Sequence, residues 1–92
     1  MNIKWSPEAR ADIDRLADFA AEQDPILADE IEQELSEAPK RLLHFPHRGR
    51  PLSGFEPREV REHRVGAYLL RYEVAGAHTV VLRFFHARED RF

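Results

Sequence analysis

Two proline-led helix starts, Ser6-Pro7 and Asp24-Pro25, leave this chain few ways to fold. Ser6 can cap a helix with its hydroxyl. Pro7 suits the first helical position, and Glu8 lies in the first turn, where the helix dipole favours a carboxylate. Ala9, Ile13, Leu16, Ala17 and Ala20 then recur at helical spacing, with Asp12, Asp14, Arg15, Asp18 and Glu22 filling the remainder, which predicts an amphipathic helix over about 7–22. Asp24-Pro25 repeats the signal. Leu27, Ile31 and Leu35 form the stripe of a second helix, with Glu30, Glu32, Glu34 and Glu37 on its wet side. Helices joined by two or three residues run antiparallel as an αα-hairpin. Such a pair has one apolar side, and the rest of the 92 residues must cover it.

Pro39 is the awkward residue, because an interior proline removes a helical hydrogen bond. It predicts a kink near Ala38-Pro39 and one or two further turns through Arg41-Leu42-Leu43. His44 to Pro51 reads as a turn-rich connection, continued from Leu52 to Pro57.

The cover is a sheet. Asn2-Ile3-Lys4-Trp5 reads as a short strand, with Trp5 packing it onto the helices. Glu59–Val65, Tyr68–Val74 and Thr79–His86 read as three more, with Gly66-Ala67 and Ala75-Gly76-Ala77 as turns that make these neighbours antiparallel. Alternation puts Tyr68, Leu70, Tyr72 and Val74 opposite Leu69, Arg71 and Glu73, and puts Val80, Leu82 and Phe84 opposite Val81, Arg83 and Phe85. The Tyr/Leu/Tyr and Val/Leu/Phe faces are expected to meet the helices. Arg71 and Arg83, with Arg64 from the preceding strand, would then stand on one open face. The expected architecture is α+β: a short N-terminal strand and an antiparallel helix hairpin on one face of a mainly antiparallel, three- to four-stranded twisted sheet.

Length and composition narrow the function. A single domain of this size hides roughly 60–65% of its unfolded surface. It lacks material for a deep cleft, so function belongs on an open face or groove. There are no cysteines, which removes disulfides and thiolate metal sites. The five histidines show no HxH or HxxxH ligand spacing on one element, so no metal is expected, and no cofactor. No signal-peptide pattern opens the chain and no apolar run approaches bilayer length, so a soluble, cytoplasmic protein without a membrane partner is expected. The net charge is −3, yet residues 1–47 hold 5 basic against 11 acidic side chains, and residues 48–92 hold 9 arginines, no lysine and 6 acids. An arginine-rich half suits an anionic partner, either acidic protein or nucleic acid. The acidic helices argue against nucleic acid on their own side.

The strand–helix–helix–three-strand order, Gly49-Arg50-Pro51, VREHRVGAYLLRYEV across the hairpin and the ending VVLRFFHARED together resemble the RelE/ParE family of bacterial type II toxins, over nearly the whole chain as one domain, 1–92. The resemblance implies a toxin neutralised by a cognate ParD- or RelB-like antitoxin in a hetero-oligomer. It implies one of two activities: poisoning DNA gyrase, as in the ParE-like branch, or cleaving ribosome-bound mRNA, as in the RelE-like branch.

Cutting RNA through its 2′-hydroxyl needs a base, a cation and an acid. The RelE-like branch has an arginine after the aromatic that opens the middle strand, where this chain has Leu69. It has lysines where Val60 and Glu62 stand, and a C-terminal tyrosine that is absent here. The His86-x-x-x-Asp90 closure is similar to the ParE-like branch. The resemblance therefore implies a gyrase-binding toxin without catalytic residues. If the chain were a nuclease, Arg64, Arg71, Arg83, His86 and Arg88 would form its active surface. Arg50, Arg61, Arg64, Arg71, Arg83 and Arg88 are the candidate antitoxin- or target-binding residues. His86 and Asp90 are candidates for a structural closure, and His63 for a satisfied core or edge histidine.

Overall fold

The computed structural model describes residues 2–89. It contains strand β1 (Asn2–Trp5), helices α1 (Pro7–Ala21) and α2 (Pro25–Glu37), a 3₁₀ helix (Ala38–Leu42), and strands β2 (Arg50–Pro51), β3 (Glu59–Val65), β4 (Tyr68–Ala75) and β5 (His78–His86). The strands form one five-stranded sheet in the order β1-β5-β4-β3-β2.

Both helix starts are capped as their residues dictate. The Ala9 N–H donates to Ser6 Oγ at 3.0 Å and the Ile26 N–H to Asp24 Oδ1 at 3.0 Å. The second helix does not kink and continue. The α-helix ends at Glu37, with the Ala38 N–H still donating to the Glu34 carbonyl, and a 3₁₀ helix carries the chain to Leu42. Pro39 has no N–H to give to the carbonyl four residues back, so the tighter winding replaces the predicted kink.

The sheet has one strand more than expected. Arg50 pairs with Glu62 and Pro51 with Arg61, so the connection carries a two-residue edge strand. An edge is where a proline fits, because no ladder bond is asked of its missing N–H. β3, β4 and β5 are antiparallel, and Gly66 takes φ +59° in the tight turn between β3 and β4. β1 runs parallel to β5, Asn2 opposite His78 through Trp5 opposite Val81.

One side of the sheet faces the helices. Ala9, Ile13, Leu16, Ala20, Ile31, Leu35 and Leu42 pack there against Val65, Leu70, Tyr72, Val81 and Phe84, with Trp5 packed against this core at 5.8 Å from the Phe84 ring. The last strand departs from simple alternation. Arg71 is opposite Arg83 but Tyr72 is opposite Val81, so Leu82 is an extra residue in a β-bulge. A bulge shifts the alternation by one residue. Thr79 and Val81 therefore stand across from Val74 and Tyr72 on the helix side, in place of the expected Val80 and Leu82, while Phe84 keeps its expected side opposite Leu70.

Candidate functional site

Arg71 and Arg83 are direct cross-strand neighbours, and Arg64 lies on the same face, opposite Leu69. The face is not open there. Val60, Glu62 and Phe85 on it are buried, and the connection before β3 folds over it. The Arg71 guanidinium lies 5.6 Å from the Phe55 ring centroid and 5.1 Å from that of Phe85, and bonds the buried Glu62 carboxylate at 3.4 Å. Arg50 reaches the same carboxylate at 3.3 Å from outside. Arg64 Nε donates to the Gly66 carbonyl at 2.8 Å. Arg71 is thus held by a carboxylate and two rings, and Arg64 by backbone.

Arg83 turns toward α1. Its Nε donates to Asp12 Oδ2 at 2.7 Å and a terminal nitrogen to Oδ1 at 3.0 Å; the pairing raises the Arg83 pKa above the ordinary arginine value. Asp12 also accepts from the Phe84 N–H at 2.9 Å. Its helical position read as part of the wet face, yet the residue is buried. The cause is local. β1 ends at Trp5, so past Val81 the outer edge of β5 has no strand beside it. Side chains from the start of α1 replace that strand. Ser6 Oγ donates to the Leu82 carbonyl at 2.7 Å while capping the helix, and Asp12 takes the next N–H, that of Phe84. Nothing in helical periodicity distinguishes such an aspartate from a solvated one.

The end of β5 is closed by its own residues. The Arg88 N–H donates to His86 Nδ1 at 3.1 Å, and Glu89 accepts from the His86 N–H at 2.9 Å while its own N–H reaches the His86 carbonyl at 3.0 Å. Arg15 on α1 holds Glu89 from the other side. An imidazole that accepts at Nδ1 in its neutral form carries its proton on Nε2. The His86 ring also meets Tyr68 edge to face at 5.4 Å. Asp90 lies outside the described residues, and Glu89 supplies the carboxylate here. Between α1 and this strand end runs a groove of about 670 Å³, lined by Arg15, Leu16, Phe19, Tyr68, His86 and Arg88 together with Glu89. Phe19 on its rim is 66% exposed, and Ile26 and Leu27 at the start of α2 are also exposed.

A second polar cluster sits at the edge of β3. Tyr72, fully buried, donates through its hydroxyl to the Pro46 carbonyl at 2.7 Å and accepts from the Gly49 N–H at 2.8 Å. Arg61 donates to the carbonyls of His47 and Gly49 and to the Glu59 carboxylate. Arg61 is therefore a clamp on the 44–49 connection. Burial, and then the positive charges of Arg48 and Arg41, hold the His63 pKa below its ordinary value. On acidification the unfolded chain accepts a proton at His63 near pH 6.5 while the folded chain resists it, so stability is lost as pH falls below about 6.5. His63→Leu is expected to flatten this acid limb. Urea midpoints of variant and wild type at pH 7 and pH 5 check it; parallel changes in both proteins would remove His63 from the account.

Among the described residues no three His, Asp or Glu side chains gather as metal ligands, and no helix is long and apolar enough to cross a membrane. The family model for the ParE toxin of the type II toxin–antitoxin system parDE matches residues 3–91. The chain belongs to the ParE toxin family.

Its fold is similar to a solved chain of the chromosomal ParDE TA system from P. aeruginosa, with a TM-score of 0.78, 25% sequence identity, and coverage of 94% of this chain and 95% of that one. A search of curated proteins gives no match. Within this ParE-family domain the six candidate arginines separate into three settings. Arg71 and Arg83 bond carboxylates that are themselves buried, Arg61 and Arg64 bond backbone, and Arg50 and Arg88 stand at the periphery.

Proposed function

We propose that this chain is the toxin of a ParE-type toxin–antitoxin pair, acting in the cytoplasm as one domain. It inhibits growth by binding a protein target, DNA gyrase, and carries out no chemistry of its own. A cognate ParD-like antitoxin holds it inactive by laying an amphipathic helix in the groove beside α1, where Leu16, Phe19 and Tyr68 offer apolar contact and Arg15 and Arg88 offer charge at the rim.

The observation that carries the proposal is where the candidate nuclease groups point. A base, a phosphate-binding cation and an acid must converge on one scissile bond. Arg83 is drawn to Asp12, Arg71 to Glu62 and Arg64 to a turn carbonyl, while His86 Nδ1 is engaged by backbone. These favour a binding surface over an assembled reaction centre.

Pulse-labelling after induction tests it. DNA synthesis, read as thymidine incorporation, is expected to fall within minutes while methionine incorporation is spared. His86→Ala and Arg88→Ala are expected to keep toxicity within a few-fold of wild type. An immediate fall in methionine incorporation, with toxicity abolished by either substitution, would instead establish a ribosome-dependent mRNA endonuclease.

A further inference from the structure

The connection between the 3₁₀ helix and β2 has properties that neither the arginine face nor the groove uses. Phe45 is 64% exposed. It is nonetheless carried on a fixed loop. Tyr72 and Arg61 bond the carbonyls of Pro46, His47 and Gly49, and the Arg48 N–H returns to the Phe45 carbonyl at 3.1 Å. The loop does not fold the ring inward, so a large aromatic is presented to water on a pre-organised support, the usual form of an interface anchor. A shallow cavity of about 530 Å³, lined by residues 44–48, surrounds it.

Arg48 lines the same cavity as the ring, and Arg41 precedes the loop at the end of the 3₁₀ helix. Arg41 and Arg48 form no salt bridge among the described residues, and their field is felt at His63. The carboxylate bonded to His47, that of Glu59, is also bonded by Arg61. The positive area is small, because Arg41 borders the acidic face of α2, with Glu30, Glu34 and Glu37. A nucleic-acid strand carries a charge at every nucleotide and would run from the arginines onto those carboxylates. A short acidic protein segment would not.

We propose that the loop 44–48, together with Arg41, is a docking surface for an acidic protein segment, with Phe45 as the apolar anchor and Arg41 and Arg48 as the charge partners. It shares no residue with the groove beside α1, so the two surfaces are separable by mutation. The assignment does not depend on which target the toxin has.

Amide NMR titration of the full chain with a short glutamate- and leucine-rich peptide tests it, with an oligouridylate of equal charge and a lysine-for-glutamate peptide as comparisons. Saturable shifts confined to residues 41–49 are expected with the acidic peptide. Phe45→Ser and Arg41→Ser/Arg48→Ser are each expected to weaken binding at least about tenfold, the size of effect that separates an anchor from its neutral surroundings. Phe19→Ser, in the groove, should leave binding unchanged. All these positions are at the surface, and the spectra themselves report whether each variant is folded. Equal or tighter binding of the oligouridylate would make the surface a nucleic-acid site. Shifts centred on Phe19 and Arg88, or no saturable binding, would also overturn the proposal.

Discussion

Asp12→Ala is expected to lower the melting temperature by more than about 10 °C. The substitution removes a carboxylate that is 4% exposed and that serves two donors of β5, the Arg83 guanidinium and the Phe84 N–H, with Arg15 at 3.4 Å as a third neighbour. Losing the acceptor orphans the buried Phe84 N–H, at about 1–3 kcal/mol, and removes a charge-assisted bond worth about 1.5–3 kcal/mol, and at this chain length each kcal/mol moves the midpoint by roughly 4–8 °C. The reverse deletion should be much milder. Arg83→Ala leaves the carboxylate the Phe84 N–H and Arg15, and shortening a side chain that is 39% exposed opens it to water. Asp12→Asn should fall between, since an amide oxygen can still accept from Phe84. Thermal unfolding of the three variants decides the point. Equal losses for Asp12→Ala and Arg83→Ala would mean that the ion pair alone matters and that the bond to the Phe84 N–H adds nothing.

Gly49→Ala is the second large effect, and its cause is space. An added Cβ would lie 2.6 Å from the Tyr72 hydroxyl and 2.8 Å from its ring carbon Cε1. Tyr72 is fully buried in the core and cannot swing aside. Either the ring or the connection must move, and overpacking of this kind costs about 1–3 kcal/mol. The hydrogen bonds from Gly49 N–H to the hydroxyl and from the hydroxyl to Pro46 are put at risk as well, at about 1 kcal/mol each. The expected loss is therefore about 2–4 kcal/mol, readable as a shift in urea midpoint, and amide exchange across 44–51 should speed up in the variant. Tyr72→Phe separates the contributions. It keeps the ring and loses only the hydrogen bonds, so it should cost less than Gly49→Ala. A Gly49→Ala variant as stable as wild type would show that the connection gives way at no cost.

Local chemistry made much of the fold readable. Ser6-Pro7 and Asp24-Pro25 fix both helix starts through caps that need no tertiary contact, and Gly66 marks its turn. The antiparallel pairing of β3, β4 and β5 followed from short connections, whereas the parallel place of β1 beside β5 and the edge strand β2 did not. What escaped depended on geometry between distant residues. The bulge at Leu82 reverses the facing of Val80 and Val81, and no sequence period records an inserted residue. Asp12 is buried because β1 stops short of the end of β5, which a helical wheel does not show. The arginines of the sheet face read as functional, with cross-strand pairing to Glu62 or Glu73 as the alternative; Glu62 does hold Arg71, but Arg83 turns to Asp12, 71 positions away, and Phe55 covers Arg71 from the connection. The 44–48 loop went unnoticed as a surface because its fixity comes from Tyr72, which reads as an ordinary strand position, and from Arg61, which reads as a binding residue and not as a clamp.

The parallel pairing of β1 with β5 also dictates an order of assembly. Ser6 and Leu82, which meet at the junction of these strands, are 76 positions apart. The helix hairpin is local, but the strand that gives β1 its place follows every other described element along the chain. Until β5 arrives, the apolar stripes of α1 and α2 lack the Val81 and Phe84 side of their core. Closure over so long a loop is slow relative to local folding. The growing chain therefore passes through an interval in which the apolar stripes of its helix segments are uncovered, and any protein that recognises those stripes has a chance to bind before the sheet does.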